Sequence, residues 1–97
     1  MATKNNPGKF DCYENAHPDE PMFVLLGRDP CAAAVVEFWK RLRVALGQSA
    51  AEAQIEEATI CAGTMREWAR GAGKAALVSL ADETARDVFL RGVKGPF

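Results

Sequence analysis

Residues 27–47 read GRDPCAAAVVEFWKRLRVALG, and this stretch predicts one helix with a defined beginning and a defined end. Asp29 is a favoured N-cap residue, and Pro30 is favoured in the first helical position. Gly47 is expected to end the helix, because glycine readily adopts the left-handed conformation that closes helices. Apolar residues recur at steps of three and four and would form one stripe, made of Ala32, Val35, Trp39, Leu42 and Leu46.

A second helix is expected after a short link, Gln48 and Ser49. Ser49 and Glu52 have the spacing of a capping box. A link this short predicts an antiparallel helical hairpin over residues 29–70. Trp39, Met65 and Trp68 are interpreted as core, with the edge of Trp68 at a pocket or subunit interface as the alternative. The second apolar stripe is rich in alanine, which permits close approach of the two helices, and contains Ala51, Ile55, Ala58, Ala62, Met65 and Ala69.

The C-terminal part, residues 71–97, is predicted to form a third, shorter helix and a tail. The sequence RGAGK (residues 70–74) lacks the spacing of a phosphate-binding loop and is interpreted as a helix terminator. Ser79 and Asp82 resemble an N-terminal cap, so the helix is expected over residues 80–91, ending at Gly92. Its inward residues would be Ala81, Ala85, Val88 and Phe89.

The N-terminal part is predicted to hold a flexible arm (residues 1–9) and then a loop and strand (residues 10–28). The sequence MFVLL (residues 22–26) is short, apolar and preceded by proline, which is typical of a buried strand. A single strand cannot satisfy its own backbone groups. Its partner could be KFDCY (residues 9–13), ALVSL (residues 76–80) or the same strand in another copy.

The expected fold class is therefore mostly α, or small α+β, in one domain of 97 residues. A chain of this size buries only about two thirds of its unfolded surface, so a homo-oligomer would add stability. The 12 basic and 13 acidic side chains argue against general binding to nucleic acid or to an anionic membrane. No segment is expected to span a membrane. Cys12, Cys31 and Cys61 lack disulfide spacing and are predicted to be buried, reduced thiols in the cytoplasm.

Candidate binding residues cluster around the predicted strand. Arg28 lies at the start of a helix, where phosphate or carboxylate groups bind, or else it pairs with Asp19 or Glu20. Asp19 and Glu20 could accept hydrogen bonds from a ligand, bind a metal with His17, or form a turn and pair with Arg28 or Lys40. Asp29 shares the helix start with Arg28.

Aromatic and amide groups complete the candidate ligand site. Tyr13 and Phe23 could stack on a base, and Asn15 could read a base edge. The alternatives are that Phe23 belongs to the core and that Tyr13 packs the loop onto the sheet. With one histidine and isolated carboxylates, no catalytic set is recognisable, so neither an enzyme activity nor a metal or cofactor is expected.

The sequence YENAHPDEPMFVLLGRDP (residues 13–30), with Trp39 and CAGTMREW (residues 61–68), resembles a group of small phage and prophage proteins. The resemblance extends to the anti-CBASS nucleotide sponges of phages. It implies a homo-oligomer that sequesters a cyclic nucleotide immune signal without cleaving it, in the cytoplasm of an infected or lysogenic bacterium. It also implies binding sites between subunits, with binding roles at Tyr13, Asp19, Glu20, Phe23, Arg28 and Asp29.

An alternative function is a protein-binding inhibitor or adaptor, comparable to an anti-CRISPR effector of phages. Such a protein would act through an exposed helical face. That face would carry Lys40, Arg41, Arg43, Glu56 and Glu67.

Overall fold

The computed structural model describes residues 3–8, 12–47 and 52–92. Within these ranges the chain is mostly helical, as predicted, and contains no strand. No helix among them is long and apolar enough to cross a bilayer. The helices are α1 (Cys12–Asn15), α2 (Ala32–Ala45), α3 (Glu52–Gly71) and α4 (Ala75–Gly92).

Helix α2 begins three residues after Asp29 rather than at Pro30. The Asp29 carboxylate accepts the N–H of Cys31 at 2.8 Å, and its carbonyl accepts the N–H of Ala32 at 3.1 Å. These short-range bonds make a turn that leads into the helix, so Asp29 acts two residues before the N-cap residue, which is Cys31. The other end is confirmed: Gly47 has φ +72° and donates its N–H to the carbonyl of Val44 at 3.0 Å.

Helix α3 ends in a Schellman motif, which confirms RGAGK as a helix terminator. Gly73 has φ +82° and donates to the carbonyl of Arg70 at 2.9 Å, while Lys74 donates to the carbonyl of Ala69 at 3.0 Å. The predicted cap at Ser49 lies outside the described residues. So does the link over residues 48–51, and the antiparallel hairpin therefore stays a prediction.

Helix α4 begins at Ala75, earlier than the predicted start at residue 80. The N–H of Val78 donates to the carbonyl of Lys74 at 3.0 Å, so the helix starts directly after the glycine turn. Ser79 and Asp82 consequently lie inside the helix and do not cap it. A short apolar run such as residues 76–80 is compatible with either strand or helix, and here it is helical because Val78 is buried against the other helices.

The core lies where α2 meets both α3 and α4, and its fully buried residues are small. Alanine side chains allow the helix backbones to approach closely but remove little apolar area from water. Several large residues of the predicted stripes, including Val35, Leu46 and Val88, are instead about half exposed or more. The buried set is Ala32, Ala33, Ala34, Ala62, Ala69 and Val78.

The predicted buried strand at residues 22–26 is not confirmed. Phe23 is 88% exposed and Val24 is 70% exposed, and the segment has no regular secondary structure. One proposed partner, residues 76–80, lies within α4, where its backbone groups already serve the helix. The other proposed partner within the chain is residues 9–13. Its residues 9–11 fall outside the described ranges, and Cys12 and Tyr13 belong to α1. Pairing with the described residues therefore does not bury this segment, and pairing between two copies is considered below.

Candidate functional site

The seven predicted binding residues all lie on the surface of the N-terminal part. Tyr13 and Asn15 belong to α1, Asp19 and Glu20 to the turn after it, Phe23 to the apolar segment, and Arg28 and Asp29 to the turn before α2. All seven are exposed. Two pockets elsewhere among the described residues are lined by other side chains. The seven residues form an open stretch of surface, not an enclosed binding site.

The acidic pair is placed by a turn that begins at His17. The Glu20 carboxylate accepts the N–H of His17 at 3.0 Å, and the Glu20 N–H donates to the His17 carbonyl at 3.0 Å. Glu20 therefore has a structural role in the turn. In the part of the chain that the structure describes, no group of three histidine, cysteine or acidic side chains surrounds a possible metal position. The alternative of a metal bound by His17 with Asp19 and Glu20 has no geometric support there.

Arg28 is held by its backbone, and its side chain extends into solvent. Its carbonyl accepts the side-chain amine of Lys74 at 3.0 Å, which ties the segment to the turn between α3 and α4. Within the described ranges its guanidinium forms no ion pair with Asp19 or Glu20. Lys40 pairs with Glu37 at 2.9 Å instead of with the acidic pair. The Arg28 guanidinium is thus accessible to an anion.

Gly27 lies directly on the last turns of α3. A Cβ atom at position 27 would lie 3.4 Å from the Cβ of Trp68 and 3.8 Å from the Cα of Met65. The Trp68 side chain is 68% exposed and lines an open depression of about 460 Å³ with Glu67, Gly71 and Ala72. The interpretation of Trp68 as core is therefore wrong. We call residues 22–26 together with Trp68 the apolar strip.

A second cluster, which the sequence did not reveal, joins the three long helices. The Arg66 guanidinium of α3 donates from Nε to Oδ2 of Asp82 at 3.0 Å and from Nη2 to Oδ1 at 2.9 Å. Its Nη1 lies 3.7 Å from Oε1 of Glu37 in α2. These groups line a cleft of about 170 Å³. The charged cleft, as we call it, is lined by Ala34, Glu37, Phe38, Arg41, Arg66, Asp82, Ala85 and Arg86.

The electrostatics of the charged cleft favour a structural role. The hydrogen bond to Asp82 raises the pKa of Arg66, against the opposing effect of burial. Both carboxylates already have cationic partners, since Glu37 also pairs with Lys40. The residues that line the cleft include no histidine. The arrangement can hold three helices together, but it does not make an acid–base pair.

The cationic face proposed for protein binding is largely engaged within the chain. Lys40 donates to the hydroxyl of Thr59 at 3.0 Å in addition to its ion pair. The Arg41 guanidinium lies 5.5 Å from the ring centroid of Phe89, and that of Arg43 lies 5.1 Å from the ring of Trp39. Such contacts with aromatic rings are favourable, so these groups are less free for a partner.

The cysteines are less buried than predicted. Cys12 and Cys31 are exposed, and Cys61 is partly exposed. Burial raises the pKa of the Cys61 thiol. A reactive thiol needs a lowered pKa, so Cys61 does not have the environment of a nucleophile.

A comparison of the chain with models of known protein families, with curated proteins and with solved structures finds no match. The resemblance to phage nucleotide sponges therefore stays an expectation based on the motif of residues 13–30.

Proposed function

We propose that this chain is a non-catalytic binding protein that sequesters a cyclic nucleotide, or a related small anionic ligand, in a homo-oligomer. The observation that supports it is the exposure of two aromatic rings on the same stretch as an accessible guanidinium. Tyr13 is 83% exposed and Phe23 is 88% exposed, and Arg28 follows within one short segment. Aromatic rings stack on bases, and arginine binds phosphate through paired donors.

Assembly is part of this proposal because a single chain leaves the site open. A ligand on the surface around Phe23 and Arg28 would remain in contact with water and would dissociate readily. A second subunit placed over the segment would enclose it. The small alanine core and the exposed apolar strip support assembly, since large exposed apolar patches mark interaction sites. By the resemblance, the biological role is immune evasion in the cytoplasm of an infected or lysogenic bacterium.

The test is calorimetric titration of the full chain with cyclic dinucleotides, cyclic trinucleotides and ADP-ribose derivatives. We expect one member of the panel to bind with a Kd below ~10 μM, since weaker binding does not sequester a signalling molecule. Chromatography after the titration should return that nucleotide unchanged. The absence of binding by every member at this concentration would contradict the proposal, and turnover would indicate an enzyme instead.

Two variants connect binding to the proposed surface. Phe23→Ala and Arg28→Ala should each weaken binding at least tenfold, because one removes a stacking ring and the other a phosphate donor. Arg91→Ala, which removes an exposed arginine from the last turn of α4, is the matched control and should bind normally. Equal loss in all three would indicate a general electrostatic effect without a defined site.

A protein-binding inhibitor or adaptor is the second candidate, and a different observation favours it. Large apolar side chains are also exposed away from the apolar strip, at Val44 and Leu46 near the end of α2 and at Ile60 in α3. A pull-down from host lysate with the wild type and with Leu46→Glu would test this surface. A stable partner that the variant loses, together with silent nucleotide titrations, would select this function.

A further inference from the structure

We infer that residues 22–26 pair as an antiparallel strand with the same residues of a second copy, across a two-fold axis at Val24. This inference goes beyond the proposed function, because the pairing holds whether or not a nucleotide is the ligand. It rests on three observations: the segment's unpaired backbone, the position of its apolar side chains, and the charges at its two ends.

The backbone of the segment is available for pairing. Met22, Phe23, Val24 and Leu25 form no backbone hydrogen bond with any described residue. The carbonyl of Leu26 accepts one hydrogen bond, from the N–H of Asp29 at 3.0 Å. A row of unpaired N–H and carbonyl groups beside exposed apolar side chains is a template for strand addition.

The register that overlaps the apolar segment completely places Val24 opposite itself. Met22 then lies opposite Leu26, and Phe23 lies opposite Leu25. Hydrogen-bonded and non-hydrogen-bonded positions alternate along antiparallel strands. If Val24 is hydrogen-bonded, then Met22 and Leu26 are as well, while residue 21 occupies a non-hydrogen-bonded position. Pro21, which has no N–H, fits there without loss.

The charges at the ends of the segment agree with the same register. Arg28 lies in the turn just beyond the paired residues of one copy, and its long side chain reaches Glu20 at the same end of the other copy's strand. One carboxylate oxygen of Glu20 accepts the N–H of His17, and the other is left for this ion pair, which the two-fold axis produces twice. A shift of the pairing to either neighbouring symmetric register places Arg28 opposite Pro18 or Met22 and leaves Glu20 without a cation. Opposite charges on facing strand positions are favourable, so they select the centred register.

One pair of like charges, Asp19 opposite Asp29, falls just beyond the paired segment. The Asp29 carboxylate is turned back onto the N–H of Cys31 at 2.8 Å, which directs it into its own turn. The chain also turns at residues 27–30, so the strand ends before this position. Repulsion between the two aspartates is therefore weak compared with the two Glu20–Arg28 pairs.

The exposure of the segment agrees with a pair of identical chains. Met22, Phe23, Val24 and Leu26 are between 46% and 88% exposed, so apolar surface that a second copy can cover continues along the segment. Trp68 borders the segment at Gly27 and extends the apolar surface. In the centred register a second copy pairs the backbone groups of Met22, Val24 and Leu26 and brings opposite charges to both ends of the segment. The Arg28 guanidinium has five N–H groups, so an ion pair leaves donors for a ligand.

The experiment is measurement of molar mass by sedimentation and light scattering on the full chain without nucleotide, from ~1 to ~100 μM, a range that detects a dimer of micromolar Kd. The wild type should reach at least twice the mass of one chain. Val24→Pro removes the central N–H and should halve that mass, whereas Val24→Ile keeps the N–H and should not. Circular dichroism should show equal helix content in all, because Val24 is exposed and unpaired in the single chain.

A charge exchange tests the register directly. Glu20→Arg and Arg28→Glu each create two like-charge pairs in a homodimer, and each variant alone should be monomeric. In an equimolar mixture both pairs become opposite charges, so the two variants should associate one to one. A wild type that stays monomeric, a Val24→Pro variant that keeps its mass, or a mixture that does not associate would overturn the inference. A dimer that binds no nucleotide would contradict the proposed function and leave the pairing intact. A monomer that binds one would contradict the pairing and the assembly part of the proposed function, and would leave sequestration of the nucleotide intact.

Discussion

Arg66 and Asp82 form a two-pronged contact, with Nε to Oδ2 at 3.0 Å and Nη2 to Oδ1 at 2.9 Å, and this contact joins α3 to α4. The same guanidinium reaches Glu37 of α2 at 3.7 Å. One arginine thus links the three long helices around a core made mostly of alanines. Because the core is so small, this pair should make a measurable contribution to the free energy of unfolding.

Asp82→Asn should lower the free energy of unfolding by about 1–2 kcal/mol, because Arg66 then loses its charged partner in a half-buried position. Urea unfolding followed by circular dichroism measures this. Asp87→Asn is the matched control on the same helix, since Asp87 is exposed. If the two variants unfold at the same urea concentration, the Arg66–Asp82 pair is not a stabilising contact.

Two glycines of the same helical region should respond in opposite directions to alanine. Gly73 has φ +82° in the turn after α3, so Gly73→Ala should cost about 1 kcal/mol. Gly63 lies inside α3 with nothing within 4 Å of a Cβ atom, so Gly63→Ala should add about 0.5–1 kcal/mol. Thermal unfolding of the two variants provides the comparison. A shift of both melting temperatures in the same direction would exclude the conformational explanation.

The stability of the single chain should depend more on residue size in the core than on the hydrophobicity of residues 22–26. Ala62 is fully buried between helices, so Ala62→Leu should cost about 1–3 kcal/mol through overpacking. Phe23→Ser should change the stability of the single chain by less than about 0.5 kcal/mol, because the ring is exposed. Urea unfolding at low protein concentration separates the two. A large loss in Phe23→Ser there would show that Phe23 belongs to the core.

The Cys61 thiol should make stability decrease at alkaline pH. Burial raises its pKa in the folded chain, so the folded state keeps the proton at a pH where the unfolded chain has lost it. Its contribution is complete below the ordinary thiol pKa of about 8.5 and is lost as pH rises through the raised value. Urea midpoints across this range should decline less steeply in Cys61→Ala than in the wild type.

Local signals in the sequence predicted the ends of the helices well. Gly47 and Gly73 carry the positive φ angles that terminate α2 and α3, and this property belongs to the residue itself. The alanine positions Ala62 and Ala69 were also identified correctly, because helical spacing determines which residues share a face. The start of α4 was wrong, since residues 76–80 satisfy both strand and helix patterns and only their packing decides between them.

The charged cleft and the exposure of residues 22–26 could not be predicted from local sequence patterns, because both depend on how the helices pack. Arg66 and Asp82 are separated by a turn, and their contact follows from the angle at which α3 and α4 meet. Residues 22–26 have the sequence pattern of a buried strand. The pattern does not specify whether the surface that covers the strand belongs to the same chain or to another. The exposure of Phe23 answers that question for the single chain.

The alanine core also determines how the protein responds to temperature. The heat capacity increases on unfolding in proportion to the apolar area that becomes hydrated. The increase is ordinarily about 12–15 cal/mol/K per residue. A core of methyl groups, with Phe23, Leu46 and Trp68 already hydrated in the folded chain, should give a smaller increment. The stability of the isolated chain should therefore vary little between cold and warm conditions, and its calorimetric transition should be broad.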